Sequence, residues 1–275
     1  MSPVYSLAHL TALGLPPPQL VAAAARTGYQ KVGLRLLPAA PGGVAYPLMR
    51  DARLLADTRS CLEDFGVGVF DLEIVRIGPG FRAGDYEALF EVGAKLGAKA
   101  MLVAGDDADE AGLTASFASL CEAAAPFGLS ADLEFMPWTK VPDARTALRI
   151  VVAASQPNGG VLVDALHVAR SATSLADITA IPHRHLHYAQ ICDAPAEAPT
   201  TVEGLVHAAR CERLLPGEGG IDLAGLFATL PADLPVSVEI PNDSQVAALG
   251  AEEWARRALA ATKHVLARIK TRPAT

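Results

Sequence analysis

The sequence predicts an α/β fold, a single (β/α)8 TIM barrel that occupies residues 1–275 as one domain. Short apolar runs typical of strands alternate eight times with longer helical patterns, and this alternation favours a parallel sheet wrapped in helices. The chain has 275 residues, close to the roughly 250 of a typical barrel. A doubly wound open sheet is the alternative, but no glycine-rich dinucleotide fingerprint follows the first strand to support it.

The first half of the chain contains four strand–helix units. Prolines at positions 16–18 favour the first turn of a helix, and Gly66, Gly97 and Gly128 each follow a helical pattern at the point where a helix ends. The predicted strands cover residues 4–9, 31–36, 67–77 and 98–104, and the predicted helices cover residues 17–27, 52–65, 85–96 and 113–127.

The second half repeats this rhythm. Its predicted strands cover residues 129–135, 160–164, 186–192 and 236–240, and its predicted helices cover residues 143–154, 174–181, 223–230 and 252–269. The longest gap, residues 193–222, follows the seventh strand and is predicted to be a functional loop at the rim of the barrel. Residues 216–220, Pro-Gly-Glu-Gly-Gly, are predicted to form either a hinge in this loop or a plain turn.

Composition excludes several classes of function. The net charge of -7 and the absence of a dense Lys/Arg run argue against nucleic acid as a partner. No apolar stretch is long enough to span a bilayer, and the N-terminus lacks a signal peptide pattern. The four cysteines are scattered without a CxxC pair, so neither a zinc framework nor a disulfide framework is expected. We therefore expect a cytoplasmic protein, and the sequence allows a homo-oligomer.

Four polar residues, each at or just past the end of a short apolar run, carry the chemical prediction. They are Glu134, Asp164, Gln190 and Glu239, on the fifth to eighth predicted strands. Parallel barrel strands all end on the rim that carries catalytic groups. One acid at a strand end is more often a helix cap or an ion-pair partner. Four oxygen-bearing side chains on successive strands instead predict a pocket for a hard divalent cation.

His167 follows Asp164 by three residues in an Asp-x-x-His motif. On a turn after the sixth strand, it could reach a ligand bound at the metal, orient a carboxylate, or serve only as a structural residue. His183, His185 and His187 precede the seventh strand and are predicted to be structural or surface groups low in the barrel.

These motifs resemble the xylose-isomerase-like TIM barrels, also called the sugar phosphate isomerase/epimerase family. The resemblance rests on Glu134, on Asp164-Ala-Leu-His167, on Gln190-Ile-Cys-Asp193 and on Glu239 within Val-Glu-Ile, and it covers essentially the whole chain. It implies a divalent metal, most often Mn²⁺ or Mg²⁺ and sometimes Co²⁺ or Zn²⁺. It also implies proton transfer next to the carbonyl of a small sugar-like or hydroxy-acid substrate.

Gln190 stands where many members of the family carry histidine. In this feature the chain is similar to the hydroxypyruvate isomerase branch and to the dehydratases that act on 3-dehydroshikimate or inosose. The segment from Arg210 to Gly219 is similar to loops of the dehydroshikimate branch. The endonuclease IV branch needs further His and Asp ligands, which are missing here.

The resemblance implies that Glu134 and Glu239 flank the substrate and exchange its proton, with His167 beside them. Epimerisation, isomerisation and dehydration share this first step. We rank isomerisation or epimerisation first, with dehydration close behind. A metal-containing protein that binds a ligand without turnover is the alternative from another class.

Further residues are predicted to contact the substrate. Arg210 and Arg170 are candidates for gripping an anionic group, because arginine forms paired hydrogen bonds to carboxylate and phosphate. Each could equally be a surface arginine or an anchor of its loop. The remaining candidates lie near strand ends and are expected to line the mouth: His9, Glu73, Arg76 and Trp138.

Overall fold

A computed structural model describes residues 3–269 and shows a closed barrel of eight parallel strands. Each strand pairs with its neighbours in chain order, and the first strand closes the barrel against the last. The strands are Tyr5–Leu7 (β1), Lys31–Arg35 (β2), Gly68–Ile77 (β3), Ala100–Gly105 (β4), Ser130–Glu134 (β5), Gly159–Asp164 (β6), Ala189–Ile191 (β7) and Val236–Val238 (β8). The predicted fold class is therefore confirmed.

Helices surround the barrel and bury one face against it. They are Pro17–Thr27 (α1), Ala52–Phe65 (α2), Glu87–Leu96 (α3), Glu110–Ala124 (α4), Ala144–Ala154 (α5), Ala165–Arg170 (α6), Leu175–Thr179 (α7), Val202–Cys211 (α8), Leu223–Thr229 (α9), Asp243–Leu249 (α10) and Ala251–Ala267 (α11). Aspartates cap several starts, as Asp51 does for α2 and Asp143 for α5. None of the helices described between residues 3 and 269 has the length and apolar character needed to cross a membrane.

The structure corrects the prediction that residues 193–222 form one loop. The helix α8 occupies the middle of this segment, capped by Thr201, whose hydroxyl accepts a hydrogen bond from the Gly204 N–H. Ala209 is its one fully buried residue, so the core specifies little of this helix. Two further short helices, α6 and α10, were also not predicted, since each has seven residues or fewer and shows little periodicity.

Strand parity divides the side chains between the barrel interior and the helices. Leu133 and Phe135, which flank Glu134, pack in the large core between sheet and helices. Leu162 and Tyr188 belong instead to the small apolar cluster inside the barrel. Alternate residues of each strand therefore point inward, as the sequence predicts, and the last inward residue of each strand faces the mouth.

His9 ties the end of β1 to its neighbours. Its backbone N–H donates to Glu73 Oε1 at 3.0 Å, and its ring Nδ1 accepts from the Arg35 N–H at 2.8 Å. The ring Nε2 lies 2.9 Å from the Leu15 carbonyl, so the neutral tautomer with the proton on Nε2 satisfies both nitrogens. The ring also stacks on Tyr46 with centroids 4.9 Å apart. Burial lowers the pKa of His9 to about 4.

Asp193 fastens the segment that returns from α8 to the barrel. Its carboxylate accepts hydrogen bonds from the backbone N–H groups of Gly217, Gly219 and Ile221 at 2.9 to 3.1 Å, and from its neighbour Ala194. A Cβ at Gly219 would lie 2.3 Å from Asp193 Oδ1, so only glycine allows this approach. One buried carboxylate thus organises most of the turn at residues 216–221.

We expect acid to destabilise the fold partly through His9. Its pKa is about 4 in the folded state and about 6.5 when unfolded, so the unfolded chain binds more protons between these values. The contribution of His9 to the free energy of unfolding should therefore be fully present above pH 6.5. It should fall by on the order of 3 kcal/mol as the pH drops towards 4. Urea unfolding from pH 4.5 to 7.5 should show a shallower fall in His9→Asn than in the unchanged protein. The exposed His207→Asn is the control, and parallel curves for all three proteins would contradict this role.

Replacing Asp193 by asparagine should loosen the turn at residues 216–221. Asparagine keeps one acceptor oxygen but loses the charge and the second oxygen, so we expect a loss of about 1–3 kcal/mol in stability. Amide hydrogen exchange should accelerate at Gly217, Gly219 and Ile221. Glu218→Gln, an exposed change in the same turn, is the matched control. Unchanged exchange in Asp193→Asn would show that the carboxylate does not hold the turn.

Candidate functional site

The four polar residues predicted at strand ends all lie buried at the mouth of the barrel. Glu134 ends β5, Asp164 ends β6, Gln190 lies within β7, and Glu239 follows β8. None of the four is more than 4% exposed, and Asp164 and Gln190 are direct register partners. Desolvated carboxylates at this density need a compensating cation, because burial of an unpaired charge costs several kcal/mol.

His167 joins two of these acids. Asp164 caps α6 by accepting from the Leu166 N–H at 2.6 Å, and this turn places His167 over the mouth. The His167 Nε2 lies 3.5 Å from Glu134 Oε1. One ligand atom each from Glu134, Asp164 and His167 falls within a mutual distance of 4.8 Å. This is a compact group of one nitrogen and two oxygen donors.

Arg213 is the functional residue that the sequence reasoning missed. Its guanidinium lies 2.7 Å from Asp164 Oδ2 and 3.0 Å from Glu239 Oε2, and its side chain is 2% exposed. Its Nε donates to the Ala209 carbonyl at 2.8 Å, which fixes its direction. The available signal was its place directly before Leu-Leu-Pro-Gly-Glu-Gly, a segment that turns the chain back to the rim.

The electrostatics of the mouth reflect an excess of acids. Burial, together with the negative charges of Asp164 and Glu239, raises the pKa of Glu134 well above its usual value. Burial likewise raises the pKa of Glu239 to about 8, against the opposing effect of Arg213. Burial also acts to raise the pKa of Asp164, but Arg213 and His167 outweigh it, and that pKa is lowered.

His167 itself is neutral at physiological pH, because burial lowers its pKa to about 4. It can therefore hold a ligand through a ring nitrogen, but it does not contribute a positive charge to the mouth. A neutral imidazole is also the form that binds metal ions.

The donor set fits a divalent cation. Within residues 3–269, several buried atoms of the mouth lack a hydrogen-bond partner: Glu134 Oε1, both amide atoms of Gln190, and His167 Nδ1. Leaving such atoms unsatisfied costs about 1–3 kcal/mol each. Carboxylate and amide oxygens suit Mg²⁺ or Mn²⁺, and the imidazole adds a ligand acceptable to Zn²⁺. These donors therefore suggest a divalent metal.

The space above these residues is a narrow cleft that opens to solvent. Trp138 lines one wall and meets His167 edge-on, with ring centroids 5.1 Å apart. The cleft is also lined by four arginines: Arg35, Arg76, Arg210 and Arg213. A wall this rich in guanidinium groups favours an anionic ligand.

Three of these arginines are already paired with acids. Arg35 lies 2.6 Å from Glu73, Arg76 pairs with Asp106, and Arg213 holds the two acids described above. Arg210 is different, since no carboxylate among the described residues lies within ion-pairing distance of it. Burial, and then the charges of Arg76 and Arg35, lower its pKa. It is the arginine of the wall that is available to a ligand.

The other predicted contacts divide into two groups. Arg76, Trp138 and Arg210 lie in the wall of the cleft. His9 and Glu73 instead lie beside the mouth. The ring of His9 contacts backbone groups, and the carboxylate of Glu73 accepts from the Arg35 guanidinium.

Arg170 and the base histidines lie outside the cleft wall. Arg170 donates to the Pro195 carbonyl on the outer side of the rim. His185 and His187 lie at the base of the barrel, where they contact the Gly159 carbonyl and Asp132.

Comparison with known proteins supports this architecture. A family model described as the xylose isomerase-like TIM barrel matches residues 21–265. The chain is 32% identical over 163 residues to a 3-dehydroshikimate dehydratase of Pseudomonas aeruginosa, covering 58% of this chain and 25% of that protein. A 3-dehydroshikimate dehydratase of Pseudomonas putida is 31% identical over 166 residues, covering 57% and 26%. The chain therefore spans about a quarter of the length of these curated relatives.

Solved structures share the fold. The IolI protein with a bound zinc atom superposes with a TM-score of 0.81 at 19% identity, covering 98% of this chain and 99% of that one. A fusion of a xylose isomerase-like barrel with a 4-hydroxyphenylpyruvate dioxygenase gives 0.77 at 24% identity, covering 95% and 42%. A D-allulose 3-epimerase of Methylomonas sp. gives 0.69 at 18% identity, covering 96% and 97%. From the matched residues and the barrel they form, this chain belongs to the xylose isomerase-like TIM barrel family.

Proposed function

We propose that this protein is a divalent-metal-dependent enzyme that removes a proton next to the carbonyl of a small anionic hydroxy-ketone and then expels a hydroxyl group. This is a dehydratase reaction of the 3-dehydroshikimate type. The observation that carries the proposal is Arg210, a half-buried arginine that no acid of residues 3–269 pairs with and that lines the same cleft as Glu134 and Glu239. The two dehydratase relatives, at 32% and 31% identity, point the same way.

The proposed metal ligands are Glu134, Asp164, Gln190 and Glu239, with His167 beside them. When bound, the cation would withdraw charge from the substrate oxygens and so favour loss of the neighbouring proton. Arg213 would hold Asp164 and Glu239 in place by its two ion pairs. Trp138 would cover the reacting carbons and exclude water from that side.

The proton transfers fall to the acids that flank the cleft. A carboxylate of Glu134 or Glu239 takes the proton from carbon, and the released electron pair forms the new double bond. The carbon–oxygen bond of the neighbouring hydroxyl then breaks, and that oxygen leaves as water after receiving a proton. The glutamate that took the proton, whose pKa burial raises, can give it to the leaving oxygen. His167 Nε2, 3.5 Å from Glu134 Oε1, can orient that carboxyl group.

Isomerisation or epimerisation is the second candidate, which the sequence alone ranked first. One observation favours it: Glu134 and Glu239 stand on β5 and beyond β8, so they approach the cleft from different sides. Two-sided exchange of a proton requires such a pair. Both candidates share the first step and differ in whether a hydroxyl group leaves.

The test uses the metal-stripped protein, reloaded with Mn²⁺ and supplied with 3-dehydroshikimate in D₂O. Dehydration would create an aromatic product with a new ultraviolet band. Deuterium entering next to the carbonyl without that band would indicate an enolising isomerase or epimerase and overturn the dehydratase assignment. Neither signal, across a panel of hydroxy-ketones and sugars, would favour a binding protein without turnover.

Glu239→Gln should lower turnover by about 10²-fold or more, because the amide can neither accept the proton nor neutralise a cation. The melting temperature should fall, because the variant breaks the buried ion pair with Arg213, but unfolding should remain cooperative. Steady-state kinetics and a thermal melt are the measurements, with the exposed Glu91→Gln as the matched control. Full activity in Glu239→Gln would remove this residue from the machinery.

Arg210→Ala should raise KM for an anionic substrate by about 10- to 100-fold, because a charge-assisted hydrogen bond contributes about 1.5–3 kcal/mol. The kcat value should change less. Arg170→Ala, a matched arginine outside the cleft wall, should leave KM unchanged. Equal KM values in both variants would show that Arg210 does not bind the substrate.

A further inference from the structure

Glu239 lies at the point where β8 loses its partner strand on the β1 side. The last register pair joins Leu7 to Val238, and the Ala8 N–H still donates to the Val238 carbonyl at 3.2 Å. Beyond this residue the chain turns into a 3₁₀ helix, His9–Ala12. The strand β1 therefore does not hold the residues that follow Val238, although the first of them carries a carboxylate of the mouth.

The turn at the end of β1 changes the partner of the Ile240 N–H. A continued parallel ladder would join this N–H to the Ala8 carbonyl. That carbonyl instead accepts from the Thr11 N–H at 3.1 Å. Ile240 is fully buried, and a buried N–H without an acceptor is rare because it has lost its hydrogen bonds to water. Another group must therefore accept its hydrogen bond.

The side chain of Thr11 supplies this acceptor. Its hydroxyl oxygen accepts from the Ile240 N–H at 2.8 Å, and the same hydroxyl donates to the Val238 carbonyl at 2.8 Å. Thr11 is 1% exposed, so water does not compete for either bond. One hydroxyl group thus bonds to the backbone on both sides of Glu239 and replaces the missing strand.

The other backbone groups at this point are fixed as well. The Glu239 N–H donates to the Ile191 carbonyl of β7 at 3.2 Å, and the Glu239 carbonyl accepts from the Arg213 guanidinium at 3.2 Å. The Trp254 indole N–H donates to the Ile240 carbonyl at 2.7 Å. From this fixed backbone the Glu239 carboxylate extends to Arg213, with Oε2 3.0 Å from the guanidinium.

We propose that Thr11 is a positioning residue for Glu239: by holding the backbone on both sides of this glutamate, its hydroxyl group sets the place of the carboxylate at the mouth. Thr11 does not line the cleft, so it acts through Glu239 and does not touch the substrate. This role rests on the proposed function in one respect, because that function makes Glu239 a metal ligand and a carrier of the proton. Partners that orient metal ligands typically change metal affinity or activity by about 10- to 100-fold.

Mn²⁺ binding to the full chain, followed by the electron paramagnetic resonance of the free ion, is the first test. Thr11→Val keeps the shape of the side chain but leaves the Ile240 N–H without its acceptor, so the dissociation constant should rise by about tenfold. Thr11→Ser keeps the hydroxyl and should bind Mn²⁺ as the unchanged protein does. The matched control is Thr58→Val, which removes an equally buried hydroxyl that donates to the Leu54 carbonyl within α2. It should leave the constant unchanged.

Two results of this titration would overturn the role of Thr11. One is equal Mn²⁺ affinity in Thr11→Val and the unchanged protein. The other is a loss of affinity that Thr11→Ser shares, because the loss would then not follow from the hydroxyl. If Thr11→Val does not fold, Thr11→Ala removes the same hydroxyl without placing a methyl group against the Ile240 N–H, and the same comparison applies.

Turnover separates positioning from a general loss of structure. Thr11→Val should lower kcat by about tenfold, whereas KM for an anionic substrate should change less, because Arg210 still binds the anionic group. Thr11→Ser should recover kcat, and Thr58→Val should change neither constant. A rise in KM at unchanged kcat in Thr11→Val would contradict the positioning of Glu239.

Failure of the proposed function gives a different pattern. If the unchanged protein neither binds Mn²⁺ nor converts a substrate, that function fails, and crystal structures of the variants decide the role of Thr11. A Glu239 carboxylate that moves away from Arg213 in Thr11→Val but not in Thr11→Ser would support the positioning role. A carboxylate that keeps its 3.0 Å contact with Arg213 in Thr11→Val would overturn it.

Discussion

The ion pairs of one buried arginine are the interaction on which the mouth of this barrel depends. Arg213 reaches both Asp164 and Glu239 from a position that is 2% exposed. Without it, two carboxylates at the ends of β6 and β8, on either side of β7, would remain uncompensated in a buried space, at a cost of several kcal/mol. The surrounding structure serves to bring this guanidinium to one place: α8 supplies the carbonyl of Ala209, and the turn held by Asp193 returns the chain to the barrel.

Much of the fold could be predicted from local signals. The bounds of α1 and α2 agree with the sequence prediction because prolines favour the start of α1 and glycines in the left-handed conformation end both helices. Of the helices that were not predicted, α8 and α10 bury few of their residues, whereas α6 is mostly buried but too short to show a helical period. Their existence depends on capping and on tertiary packing, for which a single sequence carries little signal.

Part of the candidate site could also be predicted from local sequence patterns. Glu134, Asp164 and Glu239 follow apolar strands, so their position at the rim follows from the period of a strand. Arg213 and Arg210 belong to the same segment, and local pattern could not decide which of them enters the mouth. That choice depends on how α8 ends and where the chain turns back. His9 shows the reverse case. Its position near a strand end predicted a place in the mouth, but both of its ring nitrogens contact backbone groups.

The carboxylate of Asp193 divides the rim into an exposed part and a part that is hydrogen-bonded to the barrel. On one side of it, residues 195–201 are largely exposed and connect to α8. On the other side, the turn at residues 216–221 is held to the barrel by backbone hydrogen bonds. Because longer surface loops cost little in chain entropy, evolution could lengthen or shorten the outer connection and remodel the entrance for a new ligand. The reactive centre beneath it would keep its geometry while the range of accepted molecules changed.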